Sequence, residues 1–290
     1  MRDVPTPPDG PRVIATTAGL LLSPLDWVLD AIADAGFTGT ELLLSHDADT
    51  RDPAGVARRA AEAGLDVPVV HGPYMVLLRR VLGSSYIDKS RRSLELAAEL
   101  GAATMVAHAP YRWERRARGW LAEADAEAAD VGTRFAMENL YAVGGRKLSS
   151  VVTTEELAAF DHVVFDTSHF GMAGIDLVEA FDALGDRVAH LHVSDNFGQG
   201  KDSHAPIGEG TLDLEGFLAH VGRSGFTGTV TLELDCRPYL DTRESLVGFL
   251  SEQRRRAERG LAGLGLTDRP RHRRGSAPPT GARAIADLEG

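Results

Sequence analysis

Six times along this chain a stretch rich in Ala, Leu and acidic residues runs into a glycine and then into a short apolar segment. The copies read ADAGFTGTELLL, AEAGLDVPVV, AAELGAATMVA, EAADVGTRFAM, FDALGDRVAHL and GRSGFTGTVTLEL. Gly36, Gly64, Gly101, Gly132, Gly185 and Gly225 stand where a helix must stop before a strand begins, a place for a residue that tolerates left-handed dihedrals. A repeated helix, glycine and strand means βα units. PRVIATT near the start and HVVFDT in the middle bring the candidate strands to eight. Apolar strands buried on both faces suit a parallel sheet, and eight units in a body of about 250 residues suit a closed barrel better than an open, doubly wound sheet. No GxGxxG follows the first strand, which weighs against a dinucleotide-binding fold.

The expected architecture is therefore α/β, a single-domain (β/α)8 TIM barrel over residues 12–262 with flexible termini. Residues 1–11, MRDVPTPPDGP, lack the apolar centre of a signal peptide and read as a flexible lead. Residues 267–290, rich in Arg, Pro, Gly and Ala and without periodicity, read as a disordered, solvated basic tail. No run approaches the ~18 apolar residues of a membrane span, so no membrane partner is expected. Cys236 is the single cysteine, which excludes an internal disulfide and a CxxC thiolate site and fits a reducing, cytoplasmic setting. A net charge of −11 opposes nonspecific attraction to phosphate backbones, though a local basic groove stays compatible with it.

The chemistry emerges at the strand ends. VPVV runs into His71, ATMVA into His108, RFAM into Glu138, VVF into Asp166, AHL into His192 and TVTL into Glu233. The gaps between them, 37, 30, 28, 26 and 41 residues, each match one βα unit with a shorter or longer loop. All six would reach the C-terminal rim, where barrels of this kind build active sites. One such residue is commonly a helix cap, as Asp166 in DTSH could be. Six together would repel and lose solvation unless a cation sat among them. His169 lies one turn beyond Asp166, and the loop HVSDNFGQGKDSH can fold back to present Asp202 and His204 beside His192. Imidazole and carboxylate donors without thiolates suit zinc, manganese or a similar divalent ion. Nine candidates exceed the needs of one ion, so either two or three ions bind or some donors meet substrate.

HGPY at His71, HAP at His108, MEN at Glu138, FDTSH from Asp166, HVSD at His192, DSHAPIGEG from Asp202 and LEL around Glu233 resemble, in order, the strand-end motifs of the xylose isomerase-like barrel superfamily. That superfamily includes sugar and sugar-phosphate isomerases and epimerases and the endonuclease IV enzymes of abasic-site DNA repair. Resemblance to its ketose epimerase branch implies one metal ion on Glu138, Asp166, His192 and Glu233. It also implies the two glutamates as proton-transfer residues and His169 as a substrate contact. Resemblance to the endonuclease branch implies three zinc ions on all nine donors: His71, His108, Glu138, Asp166, His169, His192, Asp202, His204 and Glu233. One to three ions per chain are thus expected.

Glu41 in TELLL resembles an acidic residue of the isomerase-like members and joins the expected substrate contacts; its position before three further strand residues also allows a buried, hydrogen-bonded carboxylate. Tyr74 is expected either to wall a sugar pocket or, with Met75, to probe a duplex. Arg237 is expected to pair with a substrate phosphate or carboxylate. The charges of YRWERRARGW fall at helical spacing and read as a solvated face, with Trp113 and Trp120 as stacking candidates under the alternative. The expected function is a divalent-metal-dependent isomerase or epimerase acting on a sugar, sugar phosphate or related polyhydroxy carbonyl compound through an enediolate. A zinc-dependent endonuclease, the one reading with DNA as partner, and a noncatalytic ligand-binding barrel are the alternatives. A homo-oligomer is compatible with all three.

Overall fold

The computed structural model describes residues 10–266 apart from 75–77, 79 and 143. Most of the expected N-terminal lead, Met75 and the whole expected C-terminal tail lie outside the described residues. Eight strands close on themselves: β1 (Arg12–Thr16), β2 (Gly39–Leu43), β3 (Asp66–His71), β4 (Thr104–His108), β5 (Arg134–Glu138), β6 (Val163–Asp166), β7 (Val188–Val193) and β8 (Thr229–Leu232). Neighbours in sequence are neighbours in space, every pair is parallel, and β8 returns to β1 through Arg12 opposite Thr229. Among the described residues no helix is long and apolar enough to cross a membrane.

The repeat glycines do what the sequence asks of them. All six have positive φ, from 54° at Gly185 to 86° at Gly36, and Gly64 and Gly101 terminate α2 (Pro53–Ala63) and α3 (Tyr86–Leu100) in the left-handed region. The helix ahead of these, α1 (Leu25–Asp34), buries Leu25, Val28, Leu29 and Ile32, the one-sided spacing of a helix laid on a sheet. In α4 (Arg115–Asp130) Ala117, Trp120, Ala124 and Ala128 are buried while the arginines stay outside, so the basic segment is a solvated face. Trp120 is built into the core, whereas Trp113 is exposed.

The unit after β5 departs from the repeat. Its helix, α5 (Thr154–Leu157), is a single turn, and the freed chain forms a long loop that returns to the β4–α4 loop through an antiparallel bridge between Tyr111 and Ser149. Two helices, α6 (Thr167–Met172) and α7 (Leu177–Leu184), follow β6, and α8 (Leu214–Arg223) and α9 (Arg243–Leu261) close the ring. One large apolar cluster fills the space between strands and helices. A second, Ile14, Val69, Val106, Ala136 and Val164, gathers alternate residues from five strands inside the barrel.

A candidate metal centre at the C-terminal rim

Register brings the donors together. His108 is paired with Glu138 across β4 and β5, and Asp166 with His192 across β6 and β7. Side chains alternate along a strand, so each donor stands two residues beyond one inside the barrel: His71 beyond Val69, His108 beyond Val106, Glu138 beyond Ala136 and Asp166 beyond Val164. Asp166 also caps α6, its Oδ1 accepting the His169 N–H at 2.8 Å. The cap and the ligand readings of Asp166 therefore use different oxygens.

Glu138, Asp166, His192 and Glu233 each offer a ligand atom within 4.8 Å of the other three. Ligands on opposite sides of an ion with bonds of about 2.1 Å stand about 4.2 Å apart, so the group has the span one first-row ion needs. His192 Nδ1 lies 3.3 Å from Glu138 Oε1, 3.7 Å from Asp166 Oδ2 and 3.1 Å from Glu233 Oε2. Three buried atoms here have no hydrogen-bond partner: Asp166 Oδ2, Glu138 Oε2 and His71 Nε2. Glu138 Oε2 is 2.8 Å from His108 Nε2 without the geometry of a hydrogen bond. Orphaned polar atoms converging in a buried place are what an ion would satisfy.

The histidine tautomers tell the same story. Nδ1 of His71 donates to Gly72 O at 2.6 Å, that of His169 to Asn139 O at 2.8 Å and that of His204 to Glu233 O at 3.2 Å. In a neutral ring each Nε2 is then a lone pair, and each points at a carboxylate. His71 Nε2 faces Glu138 Oε2 at 3.4 Å, while His169 Nε2 and His204 Nε2 both face Asp202 Oδ2 at 3.0 Å. Only a proton or a metal ion makes such a meeting favourable. Asp202 thus bridges His169 and His204 beside the first group. His204 holds its place with φ of 40°, an unusual backbone for a non-glycine residue.

Without an ion, protons take up the strain. Burial opposes charge on Glu138, but His108 and His192 outweigh it and hold the carboxyl well below the usual range. Glu233 is likewise held down at about 2, His204 and His192 overcoming its burial. Asp166 is pushed up to about 7 by burial; His169 opposes the rise, and the charges of Glu138, Asp202 and Glu233 add to it. His204 rises to about 9, because Glu233 and Asp202 outweigh its burial.

Above these donors is a cavity of about 320 Å³. Tyr74, His108, Glu138, His169, Asp202, His204 and Glu233 line one side. Tyr74 is half-buried, and its hydroxyl donates to Glu233 Oε1 at 2.8 Å. The other side is formed by Tyr111, Leu140, Tyr141 and Leu148, with the exposed Trp113 stacked on Tyr111 at 4.6 Å. These four lining residues went unsingled in the sequence, although Tyr111 and Leu140–Tyr141 follow two donor motifs within three residues, the signal that could have found them.

Two expected substrate contacts are placed elsewhere. Glu41 is fully buried below the rim, where its Oε2 accepts from His190 at 2.8 Å, His192 at 3.1 Å and Thr231 at 2.7 Å. It is the buried, bonded carboxylate that its position within β2 allowed, and it is absent from the cavity lining. Arg237 is exposed and folds onto Asp235, making two bonds of 2.7 Å, and is absent from the cavity lining. Its guanidinium is spent on a neighbour two residues away.

Residues 29–262 match the family described as xylose isomerase-like TIM barrel. An uncharacterized protein of Mycobacterium tuberculosis is 29% identical over 223 residues, covering 69% of this chain and 80% of its own length. A probable endonuclease 4 of Natronomonas pharaonis is 32% identical over 191 residues, 56% of this chain and 68% of its own. Among solved structures, a D-tagatose 3-epimerase-like protein superposes with a TM-score of 0.68 over 87% of this chain and 97% of its own, at 20% identity, a likeness of fold.

Proposed function

The chain belongs to the xylose isomerase-like TIM barrel family, and we propose that it is a divalent-metal-dependent isomerase or epimerase acting on a sugar or related polyhydroxy carbonyl compound. The observation that carries this reading is the placement of two glutamates from different strands, Glu138 and Glu233, around the same buried point as Asp166 and His192, beside a cavity of small-molecule size. The zinc or manganese ion these residues would hold supplies Lewis-acid polarisation of a carbonyl, which favours loss of the proton on the adjacent carbon. Glu138 and Glu233 are ionised in the site, so either can take that proton. Tyr74 fixes one oxygen of Glu233 and leaves the other toward His192, and His108 lies against Glu138. An enediolate would then be reprotonated at the neighbouring carbon or on the opposite face. The apolar wall of Tyr111, Leu140, Tyr141 and Leu148 would exclude water from that step.

A second reading, a zinc-dependent phosphodiesterase acting at abasic sites in DNA, is favoured by one observation: the further imidazole and carboxylate side chains of His169, Asp202 and His204, in contact with one another beside the first group. The Natronomonas relative supports it as well. Against it, no Arg or Lys is found among the described residues that line the cavity, where a phosphodiester would need one. Solvent deuterium exchange into candidate ketoses and aldoses decides for the first reading, and nicking of an abasic duplex for the second. Glu233→Gln should retain the fold and abolish exchange at the substrate carbon. Exchange at the parent rate would remove Glu233 from proton transfer.

A further inference from the structure

The carboxylate of Glu41 is the least expected group in the barrel interior. It is 0% exposed, and its Oε1 has no hydrogen-bond partner at all. A buried carboxylate half left without partners destabilises a fold, and a glutamine of the same shape would at least not bury a charge. Everything Glu41 holds is on its other oxygen. Oε2 accepts from Thr231 Oγ1 at 2.7 Å, from His190 Nε2 at 2.8 Å and from His192 Nε2 at 3.1 Å. His190 is in turn tied down, its Nδ1 2.6 Å from Thr229 Oγ1.

Of these partners only His192 reaches the rim. A neutral imidazole carries one N–H, and Glu41 claims it at Nε2. The lone pair is thereby fixed on Nδ1, the atom that meets Glu138, Asp166 and Glu233. The ring is also oriented, since Thr231 and His190 set the place of Oε2 and Oε2 sets the place of Nε2. A negative partner behind an imidazole makes it a stronger donor to a cation. The short distances to Oε2 identify the Glu41, His190 and His192 group as a hydrogen-bond network, although its atoms also lie close enough together to be considered as ligands.

We propose that Glu41 is the positioning residue of the metal centre, holding His192 in the tautomer and orientation that bind the ion, and that it has no direct contact with substrate. This rests on the metal-dependent reading above. The test is the affinity of the full-length, metal-stripped chain for Mn²⁺ and Zn²⁺, by competition with a fluorescent chelator, together with the visible spectrum of the Co²⁺-loaded protein. Glu41→Gln keeps volume and removes charge, and should weaken binding about 10- to 100-fold and shift the cobalt bands. His190→Asn removes one of the two donors that set the place of Oε2 and leaves the bond to His192, and should weaken binding at least threefold but less than Glu41→Gln does. A Glu41→Gln protein that is folded, binds within threefold of the parent and has unchanged cobalt bands overturns the inference. If that variant does not fold, Thr231→Val takes its place, because it frees Oε2 while keeping the charge. Weakening of at least threefold supports the role, and unchanged affinity overturns it. A parent chain that binds none of these ions overturns the metal reading itself and this inference with it.

Discussion

Replacing Asp166 by Asn should stabilise the metal-free protein and destabilise the metal-loaded one, a reversal that few substitutions would produce. Oδ1 caps α6 through the His169 N–H at 2.8 Å, and an asparagine carbonyl can keep that bond. Oδ2 is buried without a partner, 3.7 Å from His192 Nδ1. Burial, reinforced by Glu138, Asp202 and Glu233, raises the carboxyl from its ordinary 3.8 to about 7. A carboxyl raised on folding is a liability that begins above the unfolded value and is complete above the folded one, so it grows between pH 4 and 7. At 1.36 kcal/mol per pH unit the rise sets an upper bound of about 4 kcal/mol. Sharing among four carboxylates makes about half of that the reasonable expectation. For a chain of this size that is a gain of roughly 4 to 8 °C in Tm at pH 8, falling to about a third of that at pH 5. Saturation with an ion reverses the order, because the parent gains about 2.7 kcal/mol when the ion is at 100 times its Kd and the variant has lost a charged ligand. Scanning calorimetry at pH 5 and 8, with chelator and with Mn²⁺ or Zn²⁺, reads all four states. A variant less stable than the parent by the same amount in each would show that Asp166 is a helix cap and nothing more.

Two further outcomes follow from other parts of the molecule. His204 is raised from 6.5 to about 9 by Glu233 and Asp202, so its contribution to the stability of the metal-free protein is full below pH 6.5 and disappears as pH climbs through 9. Metal binding must displace that proton, and apparent Zn²⁺ affinity should rise about tenfold per pH unit across the same window. Affinity and metal-free Tm that are both flat from pH 6.5 to 9 would dismiss His204 as a ligand. Away from the site, Gly222→Ala should lower Tm, because a Cβ at Gly222 would collide with the Leu261 carbonyl where α8 meets α9. Overpacking of this kind destabilises by about 1 to 3 kcal/mol. An unchanged Tm would mean that the two helices separate freely.

The fold was legible because its punctuation is chemical. Positive φ at Gly36, Gly64 and Gly101 leaves little choice of residue, and the apolar run after each has the length of a strand. The donors were legible for a related reason: in a closed parallel barrel every strand ends on the same rim, so a residue type at a strand end is already a location. The cavity wall was not. Tyr111, Leu140 and Leu148 come together because two loops pair through Tyr111 and Ser149, 38 residues apart, with backbone bonds of 3.0 Å from Arg112 N–H to Leu148 O and from Ser150 N–H to Pro110 O. Nothing periodic in either loop announces that pairing. Glu41 and Arg237 lie outside the cavity lining for opposite reasons. A strand interior carried the first below the rim, and a local carboxylate, Asp235, satisfied the second.

The residues beneath the donors divide the rim in two. Under His71, His108, Glu138 and Asp166 stand Val69, Val106, Ala136 and Val164, so the β3 to β6 side of the centre rests on packed hydrocarbon. Under His192 and Glu233 stand His190 and Thr231, both bonded directly or through Oε2 to Glu41, so the β7 and β8 side rests on hydrogen bonds. Packing fixes where a Cβ sits but not where every ligand oxygen points, and Glu138 Oε2 and Asp166 Oδ2 are held by no hydrogen bond. Hydrogen bonds fix which nitrogen carries a proton. On the proposed metal reading, the side chain whose lone pair must already be in place before an ion arrives is His192, which faces three carboxylates at once and stands on the polar side. An apolar residue at position 41 or 231 would make the barrel interior uniform. On the proposed metal reading it would also leave His192 free to turn its proton toward the cation, which ties the interior polar patch to the chemistry of the rim as well as to the stability of the barrel.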